Sequence, residues 1–309
     1  MADNLRNLRV QDPILTSISR EYSGNEDLVG MTIFPAVPVS ARAGKIIFFN
    51  SRAGKKTYST LRAPGSATKR MESSYSSEAY SIEDHSLEAM ITIEEQEEAA
   101  VAMIDLEARR VREVQDAMAL ELEIKQIQLA TTAGNYGASN KITLSGATKW
   151  SHASSDPVSA VETAKTAIYN AMGKEPTSMT ISRAIFSALK TNPSLMDRMK
   201  YHKMPDVNLN FLSELFGVPV QISKARSAND AGTSETALWG NFAQLCYNVV
   251  GSMSKGEMTF GYTYQLNGYP LVEQSYPERN TKSQLYPVTN ARMPVIAGAD
   301  AGYLFSDVI

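Results

Sequence analysis

The chain has 309 residues, 43% apolar and 20% charged, a balance that argues against bulk disorder and provides for a sizeable core. Thirty Lys and Arg against thirty-three Asp and Glu leave a formal charge of −3, which argues against a globally basic nucleic-acid binder. The single cysteine, Cys246, excludes an intrachain disulfide framework, and three scattered histidines (His85, His152, His202) leave little material for a zinc site.

The opening MADNLRNLRVQDP lacks the apolar stretch of a signal peptide, and no run reaches the roughly 18 apolar residues of a membrane helix. The expectation is a soluble protein made in a cytoplasm, without membrane contact. Residues 1–40 carry few helix signals and contain Pro13, Pro35 and Pro38, so they read as an extended arm.

Charge then separates along the chain. No acidic residue occurs between Leu28 and Met71, while Arg42, Lys45, Arg52, Lys55, Lys56, Arg62, Lys69 and Arg70 are basic. The sign flips from Glu72 to Glu98, where Glu and Asp occur without Lys or Arg. Such blocks are either two solvated faces or complementary surfaces, within one chain or between copies. Inside the basic block, Lys45–Asn50 and Lys56–Leu61 read as strands joined by a short turn at Ser51–Lys55. An isolated hairpin is marginal in water, so Ile46, Phe48 and Phe49 need a cover from this chain or another.

Leu87, Ala89, Ile91 and Ile93 alternate with polar or longer residues as in a half-buried strand. Thr92 and Glu95 form a capping-box pattern before an acidic turn. A helix is predicted from about Asp105 to Thr131, with Val111, Val114, Met118 and Leu122 as one apolar stripe. Ala117, Leu120, Ile124 and Ile127 form a second, and Glu121 and Glu123 fall among its charged positions. A short strand at Lys141–Leu144 precedes an α/β module. There Asp156-Pro157 opens a helix ended by Gly173, Met179–Ile181 is a strand, Ser182 and Asn192-Pro193 open further helices, and Gly217 ends another after Asn208–Phe216. Val218–Ile222 reads as a strand, Ser223–Thr236 as a polar connection, and Ala237–Val250 as strand-like. Phe260, Tyr262, Tyr264 and Leu266 alternate, and Asn267-Gly268 predicts a hairpin returning through Tyr269–Tyr276. Gln284–Thr289 is a further strand.

The search for chemistry is negative. There is no phosphate-binding Gly-rich loop, no G-x-S-x-G elbow, no H-E-x-x-H and no paired Cys-x-x-Cys. Cys246 lies in an apolar run and reads as a buried structural thiol, and His85 as a solvated histidine. Glu94, Glu95, Glu97 and Glu98 read as a solvated or partner-facing surface before a cation site. Phe48, Phe49, Arg52 and Tyr58 interleave aromatic and basic groups, which leaves single-stranded nucleic-acid binding as a rival reading.

The order of parts resembles the major capsid proteins of tailed bacteriophages, with the Hong Kong 97-type fold. Asp12-Pro13-Ile14-Leu15-Thr16, Phe34-Pro35, Arg62-Ala63-Pro64-Gly65, Asn140–Gly146, Trp150-Ser151, Ser155-Asp156-Pro157, Trp239-Gly240-Asn241 and Gly261–Pro270 carry the likeness, in order over nearly the whole chain. The resemblance implies an α+β fold. An N-terminal arm would span 1–41 and an extended β-hairpin loop 42–86. A peripheral domain with long strands and a spine helix near 105–131 would span 87–150 and 252–293. An α/β axial domain would span 151–251 and 294–309.

It implies a structural shell subunit without enzymatic activity or cofactor, which self-assembles into an icosahedral capsid around double-stranded DNA. The nearest alternative is an encapsulin-like compartment shell. Expected partners are other copies in hexamers and pentamers, a portal protein, non-specifically packaged DNA, and room for a cement or decoration protein. Because the arm begins near Met1, a separate scaffolding protein is expected, with assembly in the host bacterial cytoplasm. Arg42, Lys45, Phe48, Phe49, Arg52, Lys55, Lys56, Tyr58 and Arg62 of one copy would meet Glu94, Glu95, Glu97 and Glu98 of another. Arg6 and Arg9 would face DNA.

Overall fold

The structure is a computed structural model of the single chain, and it describes residues 11–21, 28–49, 61–65, 67–68, 70, 75–102, 105–202, 207–228, 233–249 and 259–309. The arm is not wholly extended. Asp12 caps helix α1 (Pro13–Glu21), accepting from the Ile14 and Leu15 amides at 2.9 and 3.0 Å. Pro13, read from sequence as a breaker, sits where proline favours a helix start. A short helix α2 (Gly30–Ile33) follows, then β1 (Ala36–Val39), parallel to a later strand.

Strand β2 (Ala43–Phe49) pairs antiparallel with β3 (Tyr75–Ser81), Ala43 opposite Ser81 and Phe49 opposite Tyr75. The basic ribbon is therefore present, but its described return strand is 75–81, where 56–61 was expected. Residues 50–60, with the expected turn, lie outside the described residues. Among the described residues of the ribbon only Tyr80, at its root, packs on a core cluster, and YSSEAYS carries no apolar alternation that would signal a strand.

After Ile82, β4 (Glu83–Thr92) leads into the acidic helix α3 (Ile93–Ala102). Ala89 and Ile91 are buried as expected, whereas Leu87 and Ile93 are exposed. The long helix α4 (Leu106–Thr131) is capped by Asp105, which accepts from the Ala108 amide at 3.1 Å. Its first apolar stripe is buried, but of the second only Ile127 is: Ala117 is exposed and Leu120 and Ile124 half-buried. Gln115, Glu123 and Gln126 occupy that side of the buried face instead.

Strand β5 (Lys141–Thr143) and helix α5 (Pro157–Met172) follow, the latter with Asp156 at its N-cap and Gly173 left-handed at φ 74°. Next come β6 (Ser178–Ser182), α6 (Arg183–Thr191), α7 (Pro193–His202), α8 (Leu209–Phe216) and β7 (Val220–Ser223). The polar connection contains a small ribbon of β8 (Arg226–Ala228) and β9 (Glu235–Ala237), before β10 (Phe242–Cys246). The chain ends with β11 (Gly261–Leu266), β12 (Leu271–Val272), β13 (Tyr276–Glu278), β14 (Ser283–Ile296) and β15 (Gly302–Ser306).

Two larger sheets result. Five strands in the order β5-β15-β10-β6-β7 form one, with Trp150, Ile168, Leu212 and Phe305 in its core. The other is built on β14. One edge of β14 pairs with β4, and the other carries β11, β12 and β13 end to end, with β1 outside β11. Asn267-Gly268 therefore does not make the expected hairpin. Gly268 adopts φ 93° and the Tyr269 amide bonds the Leu266 carbonyl at 3.2 Å, closing a turn. The chain then resumes in its former direction, because β14 offers a second stretch of the same edge. The real reversal joins Glu278 to Ser283.

Candidate assembly surface and arm contacts

The sheet on β14 has two unlike faces. Ala89, Ile91, Tyr286 and Val288 pack against Val111, Val114 and Met118 of α4. On the opposite face, Tyr80 and Ile82 at the ribbon root cover Tyr262, Tyr264 and Ala291, with Tyr80 stacked on Tyr264 at 4.9 Å. Farther along that face the cover ends. Met90, Leu285 and Tyr276 stand directly opposite one another on three strands, with Met90 49% and Tyr276 44% exposed. The Tyr276 hydroxyl donates to both Glu88 oxygens, at 3.0 and 3.1 Å. That bond, with the charges of Glu88, Glu278 and Glu273, raises the phenol above its ordinary pKa.

The basic candidates divide. Arg42 pairs within its own chain with Asp84 and donates to the Tyr269 hydroxyl at 3.3 Å, which ties the ribbon root to the sheet. Lys45 is exposed on β2. Arg62 is exposed and donates to Thr68 Oγ1 at 3.0 Å. Phe48 and Phe49 lie in β2, but their side chains, like Arg6, Arg9, Arg52, Lys55, Lys56 and Tyr58 entirely, lie outside the described residues.

The acidic candidates divide too. Thr92 and Glu95 form the predicted capping box, each backbone amide bonding the other's side chain at 3.2 Å. Glu95 also pairs with Arg110 at 3.0 Å, so it too is engaged within its own chain. Glu94, Glu97 and Glu98 are exposed, and no ion pair among the described residues involves them.

Sequence reading missed the arm contacts. Glu123, expected among surface charges, is 1% exposed and accepts from the Val29 and Gly30 amides at 3.0 and 2.7 Å. Burial raises its carboxyl above the usual range and the two amides pull it back. Gln115 donates to the Ser19 carbonyl at 3.2 Å, and Gln126 to Thr263 Oγ1 at 2.8 Å. A side chain at Gly30 would overlap Gln126 and Glu123. The one available signal was three polar residues on the flank of an apolar stripe. These groups, with Arg292, line a cavity of about 240 Å³ between the arm, α4 and the sheet.

His85, expected in solvent, is 14% exposed between Glu83 (3.8 Å) and Glu121 (3.3 Å). Burial is the main cause that lowers its pKa. Lys125 and Arg292 act in the same sense, and Glu121 and Glu83 oppose. Arg292 donates to the Met118 carbonyl, and burial brings its pKa down to about 10. Cys246 is fully buried beside Ser178 Oγ and Asn248 Nδ2, each at 3.1 Å, and burial pushes its thiol up to about 11. No helix among the described residues is long and apolar enough to cross a membrane, and no cluster of three or more His, Cys, Asp or Glu among them could hold a metal.

Comparison with known proteins bears on these surfaces. The family model of phage major capsid protein E matches residues 125–238. The major capsid protein of Burkholderia phage BcepMu is 31% identical over 310 residues, 98% of each chain. A phage-related protein from Bordetella bronchiseptica has a solved structure with TM-score 0.82 and 36% identity, covering 97% of this chain and 98% of its own. The capsid structure of cyanophage P-SCSP1u shares the fold at TM-score 0.59 and 10% identity, over 89% of this chain and 86% of its own. Likeness to a capsid protein along nearly the full length decides for a virion shell over a compartment shell or a nucleic-acid-binding module. The chain belongs to the phage major capsid proteins, the structural shell subunits of tailed phages.

Proposed function

We propose that the β2–β3 ribbon is the extended loop by which one subunit grips the next, and that Glu94, Glu97 and Glu98 on α3 help choose where it lands. The observation that carries this reading is the charge pattern: eight basic and no acidic residues from Leu28 to Met71, followed by a wholly acidic run. The ribbon is a separate two-stranded sheet, which supports a role outside its own subunit's core. In this reading 1–41 is the arm and 42–86 the loop, 87–150 with 252–293 is the peripheral domain, and 151–251 with 294–309 is the axial domain. Copies group in hexamers and pentamers in the host cytoplasm, with a portal, a separate scaffolding protein and non-specifically held DNA. The subunit performs no catalysis. Expression with and without the phage's other head proteins, followed by sedimentation and negative-stain microscopy, tests this. Closed particles, capsomers or tubes are expected. A chain that stays monomeric at every concentration and salt overturns it.

A further inference from the structure

The cavity of about 240 Å³ has walls from three parts of the chain: Leu28 and Met31 of the arm, Gln115 and Leu122 of α4, and Val288 and Arg292 of β14. A cavity of roughly 150 Å³ already holds benzene, so a small organic molecule fits by volume. Apolar side chains with a few converging polar groups are the usual make-up of a small-molecule site.

Two of the polar groups are left with bonds to make. Gln115 is 7% exposed, and its side-chain nitrogen is taken by the Ser19 carbonyl and hydroxyl. Its Oε1 has no hydrogen-bond partner among the described residues. Arg292 is also 7% exposed, and its one hydrogen bond among the described residues goes to the Met118 carbonyl. A guanidinium has five N–H groups, so most of these await an acceptor. Glu121 is the opposite charge that acts on Arg292. The other nearby carboxylate, Glu123, is occupied, with one oxygen on the Val29 amide and one on the Gly30 amide. A buried cation without a close anion is costly, and so is a buried oxygen without a donor. A ligand that brings an anion for one and a donor for the other removes both costs. Arg292 is anchored at Met118, three residues after Gln115, so the two groups are offset by about 4.5 Å along α4. A short acid with a hydroxyl near its carboxylate spans that offset.

We propose that this cavity binds a small hydroxy acid, with its carboxylate on Arg292, its hydroxyl donating to Gln115 Oε1 and its short carbon chain against Leu28, Met31, Leu122 and Val288. Carboxylate on guanidinium is the charge-assisted pair that suits the fork of Arg292. Bound there, the acid links the arm, α4 and β14, and so stabilises the folded subunit by mass action. The inference does not depend on the ribbon reading.

Urea unfolding of dispersed subunits tests it, with 3-hydroxybutyrate, butyrate and 1-butanol as probes at one ionic strength. 3-Hydroxybutyrate should raise the unfolding midpoint and saturate. Butyrate, without the donor for Gln115, should bind roughly tenfold more weakly. 1-Butanol, without the charge, should give no saturable rise. Ala119 is half-buried in the α4 wall, so Ala119→Leu fills the cavity and should weaken 3-hydroxybutyrate by roughly tenfold or more while the subunit stays folded. Arg292→Gln should erase the preference for acid over alcohol. Should that chain misfold, Ala119→Leu and the probe series decide. No saturable rise with 3-hydroxybutyrate, or an equal rise in the parent chain and Ala119→Leu, overturns the site. Equal binding of acid and alcohol overturns the assignment to Arg292, and equal binding of the two acids overturns the bond to Gln115.

Discussion

Single polar residues buried on α4 decide how the arm lies. Glu123→Ala strands the Val29 and Gly30 amides in a site where water is scarce, and each unsatisfied donor costs about 1–3 kcal/mol. A loss of about 2 kcal/mol or more is expected in urea unfolding of the dispersed subunit. Gly30→Ala should be damaging by overlap at the same contact. His85 supplies a pH dependence. Its folded pKa is below the ordinary 6.5, so the neutral ring is favoured by folding. Its contribution is complete above pH 6.5 and is lost as pH falls from there through the folded pKa. Unfolding midpoints measured near pH 7.5 and near pH 5.5 should differ less in His85→Gln than in the parent chain, by the same linkage.

Elements were set by their ends where local chemistry was sufficient. Asp156 accepts from the Val158 amide at 3.2 Å, with Pro157 at the first helical position. Asp156→Ala should cost about 1 kcal/mol, read in urea melts, and should also release the contact with Arg198. The β2–β3 ribbon is a two-stranded sheet of its own, held at its root by Arg42 with Asp84 and by Tyr80 on Tyr264. Exposed ion pairs are worth about 0–1 kcal/mol each, and a buried aromatic roughly 1.5–3 kcal/mol. Lys55→Glu with Lys56→Glu should therefore slow or misdirect assembly while the subunit melts normally. Removing Phe48 or Phe49 should weaken finished particles more. Circular dichroism of the subunit and sedimentation of particles separate the two effects, and normal assembly of the charge-reversed chain would remove the ribbon from the contact.

At the scale of the whole subunit, the long β14 is the frame on which distant segments meet. Residues 11–12, 36–39, 83–92 and 261–278 come together along its two edges, directly or through one neighbouring strand. Such non-local pairing depends on loops closing over much of the chain. It also leaves one end of the sheet with Met90 and Tyr276 exposed on either side of the half-buried Leu285. A formal charge of −3 limits attraction to packaged nucleic acid to local basic groups. Binding of duplex DNA should be weak, fall with added salt and show no preferred sequence. A footprint at one site would contradict this.

The sequence by itself determined the caps, the long helix from Asp105, the module opened by Asp156-Pro157, the segregated charge and the family likeness. These signals are local, or depend only on order along the chain. Tertiary structure decided what local signals leave degenerate. YSSEAYS became the ribbon's return strand through its partner β2 and not through its own composition. Asn267-Gly268 turned without making a hairpin because β14 offered a longer edge than a returning strand could. Glu123 and His85, polar and read as solvated, were drawn in, Glu123 fully buried because the arm supplied amides and His85 half-buried among charged neighbours. A carboxylate's place is set by who satisfies it, and those partners lay 93 and 94 residues away in the chain.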